Sequence, residues 1–206
     1  DVRNVLKIGE VETFSRFVQL CAGRNGQILN LSSLATDAGI SPSTAGRWLS
    51  VLETSFIVML LRPHHRNFNK RLIKNPKLYF IDTGLLCYLL QIPSPRELFQ
   101  HAWRGAIFEG MVISDIAKNY LHRGERPPLY FWRDSHGHEI DLLIEQGSTL
   151  IPIEIKSGQT IAGNFFAGLH YWQSLSQEPQ ISPVLIYGGD QSFSSQGISV
   201  LSWKEL

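Results

Sequence analysis

Two acidic residues and a lysine lie close together in two neighbouring strand-like segments. Asp141 lies in the segment EIDLLIE, and Glu154 and Lys156 lie in the segment IPIEIK. Side chains alternate between the two faces of a strand, so Glu154 and Lys156 share a face. A short turn at residues 146–148, which contains a glycine, joins the segments and predicts a hairpin. We therefore expect Asp141 and Glu154 to lie near each other on a common face of a sheet.

Strict alternation along EIDLLIE divides its side chains between two faces. Glu139, Asp141 and Leu143 are expected on one face. Ile140 and Leu142 are expected on the opposite, apolar face. This interpretation directs the carboxylate of Asp141 away from the apolar side chains of its own strand.

Two carboxylates at short distance repel each other unless they are protonated or bridged by a cation. We expect Mg²⁺ or Mn²⁺ as the cofactor, because a few hard oxygen ligands suit a divalent ion that keeps several waters. Such an ion polarises a phosphodiester and delivers one of its waters as the nucleophile. Lys156 is placed to orient that water or to stabilise the developing charge. Glu109, in a preceding helical segment, offers a further carboxylate.

The same acid and lysine also fit an ordinary surface strand. A Glu-x-Lys pattern is common on solvent-facing strands, and Pro152 is typical of an edge position, where charges prevent pairing with other sheets. The complete set is less ordinary, because a helix with Glu109, a strand with Asp141, a turn with a glycine and a strand with Glu154 and Lys156 follow one another.

The elements that must position these residues follow from periodicity and turn signals in the second half of the chain. Pro93-Ser94-Pro95 marks a boundary before it. The sequence then predicts the order α-β-β-β-α-β-β, without an internal repeat, with helices at 102–121 and 164–175 and strands at 129–132, 138–145, 150–156, 183–187 and 198–203.

The first half carries a helix-turn-helix pattern. A helix from Val11 ends in the glycine-containing segment 23–27, and Asn30 or Ser32 caps a short second helix. Gly39 turns the chain before Ser41 caps a third helix, at 42–53. Two strand-like runs, 56–61 and 78–81, are suited to the hairpin of a winged helix, and Asp82 or Thr83 caps a short helix after them.

The loop between the two strands of this predicted wing is basic. It contains no acidic residue from Arg62 to Lys77, and residues 1–99 carry a net charge of +5 against −4 for the rest of the chain. Basic loops of this kind contact nucleic-acid phosphates, although a charge run is also typical of a solvated surface. Arg47 is the one strong cation on the predicted recognition helix. A single arginine does not support sequence-specific recognition of bases. The residues expected to bind nucleic acid are Arg47, Arg66, Lys70, Arg71 and Lys74.

Composition narrows the class of protein further. The two cysteines, Cys21 and Cys87, lack disulfide-scaffold or zinc-ligand spacing, which indicates a reducing, cytoplasmic location. The 206 residues contain no apolar run of membrane-spanning length, so no membrane partner is expected. The chain begins at Asp1 without features of a domain start, and we expect it to belong to a longer protein.

A turn with two histidines is a weaker candidate for metal binding. His136 and His138 accompany Asp134 between the first two predicted strands of the second half. A turn next to a glycine favours solvent exposure of both histidines over a metal site, and we expect exposure.

Residues 99–206 resemble the PD-(D/E)XK nuclease superfamily. The segments that carry the resemblance are GAIFEG, EIDLLIE and IPIEIKSG. The D-x12-E-x-K spacing from Asp141 through Glu154 to Lys156 is similar to the core motif of that superfamily. The resemblance implies a central mixed sheet, with Asp141 and Glu154 as metal ligands and Lys156 as the catalytic lysine. It implies Glu109 as a supporting acid and further metal ligand.

Nearly the whole chain also resembles the C-terminal region of a group of prokaryotic AAA+ superfamily ATPases. In that group a winged helix and a nuclease-like domain of unknown function follow the ATPase module. The segments that carry this resemblance are GISPSTAGRWLSVLE, NKRLIKNPKLYFIDTGLLCYLL and GAIFEG. It implies an N-terminal ATPase module and an oligomer. The chain itself is not expected to bind ATP, because Met111 follows the glycine pair Gly105 and Gly110 where a P-loop needs lysine.

These observations predict an α+β fold with two domains. Residues 1–96 are expected to form a winged helix-turn-helix domain with a basic wing, and residues 97–206 an α/β PD-(D/E)XK nuclease-like domain with a central mixed sheet. The first functional hypothesis is a Mg²⁺-dependent deoxyribonuclease that hydrolyses phosphodiester bonds in DNA. The alternative is a module without catalysis that binds nucleic acid or protein and keeps the nuclease fold. In a third hypothesis the helix-turn-helix serves protein contacts within an oligomeric ATPase.

Overall fold

The computed structural model describes residues 11–65, 72–176 and 182–206. The chain forms two compact units, and the first holds residues up to 60 together with 75–110. The second unit holds residues 61–74 together with 111–206. The described residues form seven α-helices and eight β-strands, so the fold class is mixed α+β, as predicted.

Five helices lie wholly in the first unit, and side chains cap most of their beginnings. Asn30 accepts a hydrogen bond from the Ser33 backbone N–H at 3.0 Å, and Ser41 accepts one from that of Thr44 at 3.1 Å. Gly39 ends the second helix with a left-handed φ of 71°. The predicted caps at Asn30, Ser41 and Asp82 are confirmed. The helices are α1 Val11–Ala22, α2 Leu31–Ala38, α3 Pro42–Thr54, α4 Thr83–Leu89 and α5 Pro95–Gln100.

Helix α3 contributes an apolar face to the core of the first unit. Trp48 is buried there, with its ring edge-on to Phe14 and Phe17 at 5.3 and 5.5 Å between centroids. Arg47, on the other face of the helix, is exposed. Helix α3 therefore has a buried apolar face and an exposed polar face.

The strands of the first unit follow α3. Strand β1 is Val58–Pro63, of which residues 58–60 belong to this unit, and its neighbour β2 is Lys77–Phe80. The buried side chain of Asn25 accepts a hydrogen bond from the Phe80 backbone N–H at 2.9 Å and donates one to the Ala106 carbonyl at 3.0 Å. Asn25 therefore ties strand β2 to a helical residue far along the chain.

A mixed sheet forms the centre of the second unit. Residues 61–63 of β1 run parallel to β3, and β3, β4 and β5 form an antiparallel meander. Strand β5 pairs in parallel with β6, and β6 with β8, while β7 runs antiparallel to β8 at the edge. The strands are β3 Leu129–Arg133, β4 Glu139–Gln146, β5 Thr149–Lys156, β6 Val184–Tyr187, β7 Phe193–Ser195 and β8 Ile198–Ser202.

Two further helices accompany these strands. Helix α6, Arg104–His122, begins in the first unit and continues in the second, and α7 spans Ala167–Leu175. Leu169 and Trp172 of α7 pack in a core with Trp132 of β3. Of the helices in the described ranges, α6 is the longest at 19 residues, and none has the length and apolarity that crossing a bilayer requires.

Several short elements differ from the sequence prediction. Helix α5 occupies residues expected to form a boundary, and strand β7 lies in a segment predicted to lack regular structure. The predicted helix at 164–175 begins as a 3-10 helix, Gly163–Phe166, and another 3-10 helix, Trp203–Glu205, follows β8. These elements have six residues or fewer, too few to establish a clear periodicity.

Replacing Asn25 with alanine should lower the free energy of unfolding by about 3 kcal/mol, because the buried Phe80 N–H and Ala106 carbonyl would each lose their partner. Urea unfolding at neutral pH measures this change. The matched control is Gln27→Ala, since Gln27 is exposed and its side chain makes only a long contact with the Gly23 carbonyl, at 3.5 Å. Equal stability of the two variants would contradict the role given to Asn25.

Candidate active site

The register of the β4–β5 hairpin brings Asp141 and Glu154 together. Leu142 pairs with Ile153 and Leu143 with Pro152, so Asp141 and Glu154 are the next residues along the two strands. Their side chains are only 12% and 10% exposed. The expectation that this hairpin places the two carboxylates near each other is confirmed.

A β-bulge lies at Asp141, and strict alternation along β4 is therefore wrong. On β3, one residue separates Tyr130 from Trp132, whereas two residues separate their partners Leu143 and Ile140 on β4. The extra residue sends Ile140 and Leu143 into the same core cluster, although alternation assigns them to opposite faces. The two residues of the bulge, Asp141 and Leu142, include the one whose carboxylate the site needs, and bulges are common where a strand must re-aim a side chain.

Lys156 joins the two carboxylates. Its Nζ donates to Glu154 Oε1 at 2.6 Å and to Asp141 Oδ2 at 3.3 Å. Asp141 Oδ2 also accepts a hydrogen bond from the Ile155 backbone N–H at 2.8 Å. Three of the four residues predicted to act in catalysis therefore share one cluster, built on the ends of two adjacent strands.

The charge state of Lys156 follows from this environment. Burial on its own would lower the pKa of the ammonium group, but the charges of Asp141 and Glu154 and their hydrogen bonds raise the pKa above the usual lysine value. Lys156 is therefore positively charged at neutral pH.

Glu139 is a further carboxylate near Asp141 that sequence reasoning did not assign to the site. Its carboxylate oxygen lies within 4.8 Å of that of Asp141. Arg133 of β3, its register partner, donates to Glu139 Oε2 at 3.1 Å. The available signal was the position of Glu139 two residues before Asp141 on the same strand.

Glu109 contacts two residues of the first unit. Lys77 Nζ, on strand β2, donates to Glu109 Oε1 at 3.0 Å, and the hydroxyl of Tyr79 donates to the same oxygen. Lys77 is almost completely buried, with 3% of the residue exposed. Glu109 thus neutralises a buried ammonium group, and its predicted role as a metal ligand stays a prediction.

The donors of the cluster in the second unit fit a hard divalent cation. Asp141, Glu154 and Glu139 offer carboxylate oxygens, which suit Mg²⁺ and Mn²⁺ and disfavour softer metals. Two basic side chains, Lys156 and Arg133, contact these three acids. The chemistry of the side chains therefore fits the cofactor that the sequence predicts.

The residues predicted to bind nucleic acid are only partly within the described ranges. Arg66, Lys70 and Arg71 lie outside the described residues. Arg47 is exposed on α3, and Lys74 is exposed in the segment before β2. Their role in binding stays a prediction.

The turn between β3 and β4 is organised around a buried carboxylate. The histidines are exposed as expected, His136 by 68% and His138 by 46% of the side chain, but the side chain of Asp134 is fully buried. Asp134 Oδ1 accepts the backbone N–H groups of His136 and His138, at 2.9 and 3.0 Å. Asp134 Oδ2 lies 3.0 Å from His138 Nδ1 and accepts the Tyr171 hydroxyl at 3.3 Å, and the His138 ring stacks on that of Tyr171.

Hydrogen bonding dominates the charge state of Asp134. Burial favours the neutral acid, but the hydrogen bonds from His138 and from the backbone of His136 lower the pKa of Asp134 below its usual value of 3.8. A carboxylate with this many partners orders the turn that leads into β4.

Comparison with known families assigns both halves of the chain. The chain belongs to the family described as Domain of unknown function (DUF4143), which matches residues 104–206. Residues 1–96 match a second family, Domain of unknown function (DUF8612). No solved structure matches the chain.

Two mycobacterial relatives share part of the sequence. An uncharacterized protein of Mycobacterium bovis and one of Mycobacterium tuberculosis are each 33% identical to this chain over 148 residues, which is 72% of the chain. The match spans only 33% of the length of each of these relatives.

Replacing Asp134 with asparagine should lower the stability at neutral pH by about 2 kcal/mol, because a charge-assisted network becomes a weaker neutral one. The folded pKa lies below the unfolded value, so the stabilisation is complete above the unfolded pKa and disappears as pH falls through the folded one. The difference between wild type and Asp134→Asn should therefore be largest above about pH 5 and shrink in stronger acid. Urea unfolding across pH 2–7 measures it, and a difference independent of pH would contradict this account.

Proposed function

We propose that residues 97–206 form a metal-dependent nuclease-like domain that hydrolyses phosphodiester bonds in DNA. The observation that carries the proposal is the convergence of Asp141, Glu154 and Lys156 within hydrogen-bonding distance on two adjacent strands. The order and spacing of these residues resemble the core motif of the PD-(D/E)XK superfamily. A strand bulge that includes Asp141 is further support.

In this proposal Asp141 and Glu154 hold Mg²⁺ or Mn²⁺, and Glu109 is the further ligand that the resemblance implies. When bound, the ion activates a water and polarises the phosphodiester. Lys156 stays charged and donates hydrogen bonds to the oxygens on which negative charge develops. The backbone N–H of Ile155 keeps Asp141 oriented, because it holds one oxygen of that carboxylate.

The first half of the chain is proposed to be a winged helix that binds DNA. Three helices, of which α2 and α3 have side-chain caps, are followed by two neighbouring strands, and this order supports a winged-helix arrangement. The basic segment between the strands supports phosphate contacts, and Arg47 adds an exposed cation on the helix in the position of a recognition helix.

The setting of the whole protein is proposed from the resemblance to AAA+ ATPases. The relatives are about three times as long as the matched region, which leaves room for an ATPase module and an oligomeric assembly. A cytoplasmic location fits two free cysteines. Burial, opposed by the charge of Arg24, raises the pKa of Cys21 to about 12, so this thiol is unreactive at neutral pH.

One observation favours the alternative of a binding module without catalysis. Lys156 bridges Asp141 and Glu154 itself, so the protein supplies most of the positive charge that the two carboxylates need. In this alternative the cluster stabilises the hairpin, and the domain serves as a platform for nucleic acid or protein. Metal binding distinguishes the two functions.

The double variant Asp141→Asn/Glu154→Gln should lose Mn²⁺ binding and plasmid nicking, because amides of the same shape lack the charge that a divalent cation requires. Calorimetric titration of Mn²⁺ into the wild-type chain, followed by a nicking assay on the same samples, tests this. The matched control removes two exposed carboxylates of the second unit, Asp115→Ala/Glu125→Ala, and should bind and nick normally.

Absence of Mn²⁺ binding to the wild type at millimolar concentration would reject the nuclease proposal and support the binding module. If the wild type binds Mn²⁺ and the double variant still nicks plasmid DNA, the nicking activity lies outside Asp141 and Glu154. Loss of both properties only in the double variant would support the proposal.

Replacing the four basic residues of the wing segment with alanine should flatten the salt dependence of DNA binding. Each lost phosphate contact reduces the slope of log K against log[salt] by about 0.9, so four contacts correspond to about 3.6. Filter binding at rising salt gives the slope. The variant carries alanine at Arg66, Lys70, Arg71 and Lys74, and the control carries alanine at Arg96, Lys118, Arg123 and Lys204. An unchanged slope in the wing variant would identify the segment as solvated surface.

A further inference from the structure

Gly168, the second residue of α7, lies directly against the carboxylate of Glu154. A Cβ atom built at Gly168 would lie 2.9 Å from Glu154 Oε2 and 3.3 Å from Glu154 Cδ. The same atom would lie 3.0 Å from the backbone carbonyl oxygen of Glu139. Real Cβ atoms essentially never come closer than 3.0 Å to such neighbours, so any side chain at this position must displace something.

The backbone around Gly168 does not move easily, whereas the Glu154 carboxylate is the end of a flexible side chain. The Glu139 carbonyl belongs to β4, where Glu139 pairs with Arg133 of β3. Helix α7 is fixed by the buried side chains of Leu169 and Trp172. Lys156 Nζ holds the other oxygen of Glu154 at 2.6 Å. The group that can move is the Glu154 carboxylate, and its movement would break the short contact with Lys156 Nζ.

The backbone gives no separate reason for glycine here. Gly168 has no left-handed φ, so an L-residue fits its conformation. Inside a helix, glycine costs about 1 kcal/mol relative to alanine. Space for the Glu154 carboxylate is therefore what glycine provides at this position.

We propose that Gly168 is a positioning residue, whose missing side chain sets the place of the Glu154 carboxylate beside Lys156 and Asp141. The catalytic consequence rests on the proposed function, because a displaced Glu154 would no longer hold a metal together with Asp141. The positional consequence holds with or without a metal.

The test compares Gly168→Ala with Gly163→Ala in the full 206-residue chain. Gly163 begins the 3-10 helix that precedes α7, and a Cβ there would meet nothing within 4 Å, so it is a matched control. In protein labelled with ¹³C at glutamate Cδ, the Glu154 resonance, identified by its loss in Glu154→Gln, should shift in Gly168→Ala and stay in place in Gly163→Ala. The unfolding equilibrium constant should rise about tenfold or more in Gly168→Ala only, as overpacking predicts. If the wild type binds Mn²⁺, the dissociation constant should rise about tenfold in Gly168→Ala.

A double-mutant cycle shows whether Gly168 acts through Glu154. Glu154→Ala removes both atoms of Glu154 that a new Cβ would meet, so Gly168→Ala should destabilise that background much less than the wild type. If Gly168→Ala does not fold alone, folding of Gly168→Ala/Glu154→Ala supports the same conclusion. Additive effects, an unmoved Glu154 resonance or failure of the double variant to fold would overturn the proposal.

The cycle and the resonance need no metal. A chain that binds no Mn²⁺ but shows coupling between residues 168 and 154 would reject the proposed nuclease function and keep this inference. A chain that binds Mn²⁺ but shows no coupling between residues 168 and 154 would keep the proposed nuclease function and reject this inference.

Discussion

The ammonium group of Lys156 is the interaction on which this arrangement depends. Asp141 and Glu154 are almost buried and adjacent, and two uncompensated negative charges there would cost several kcal/mol. Lys156 removes most of this cost by contacting both. An ammonium group forms hydrogen bonds only at short distance, so the hairpin register and the end of β5 must hold all three residues within a few ångströms. In the proposed function, a divalent cation would take over part of this compensation.

The carboxylates of the candidate site differ in what neutralises them. Glu139 has an arginine from the neighbouring strand, and Glu109 has a buried lysine and a tyrosine hydroxyl. Glu154 and Asp141 share one lysine, and Asp141 has a backbone N–H as well. The pair that shares one lysine is the pair that the proposed function assigns to the metal.

Much of the fold was predictable because its signals are local. Cap residues such as Asn30 and Ser41, and apolar periodicity in α3 and β5, report on a few neighbouring residues. Adjacency of Asp141 and Glu154 followed from a short hairpin. The bulge was not predictable, because an extra residue in β4 is defined only against its partner strand. The close approach of Gly168 to Glu154 and the network around Asp134 depend likewise on residues distant in the sequence.

The bulge in β4 reverses the alternation of inward and outward side chains between the two stretches of strand that it separates. Ile140 and Leu143 are an odd number of residues apart and yet enter the same core. Deletion of the extra residue would exchange inward and outward positions on one side of it, turning carboxylates toward the core and apolar side chains away from it. Point substitutions cannot make that exchange in steps. The position of the acidic cluster is thus linked to the number of residues in this strand. A change in that number would also change where the acidic side chains point.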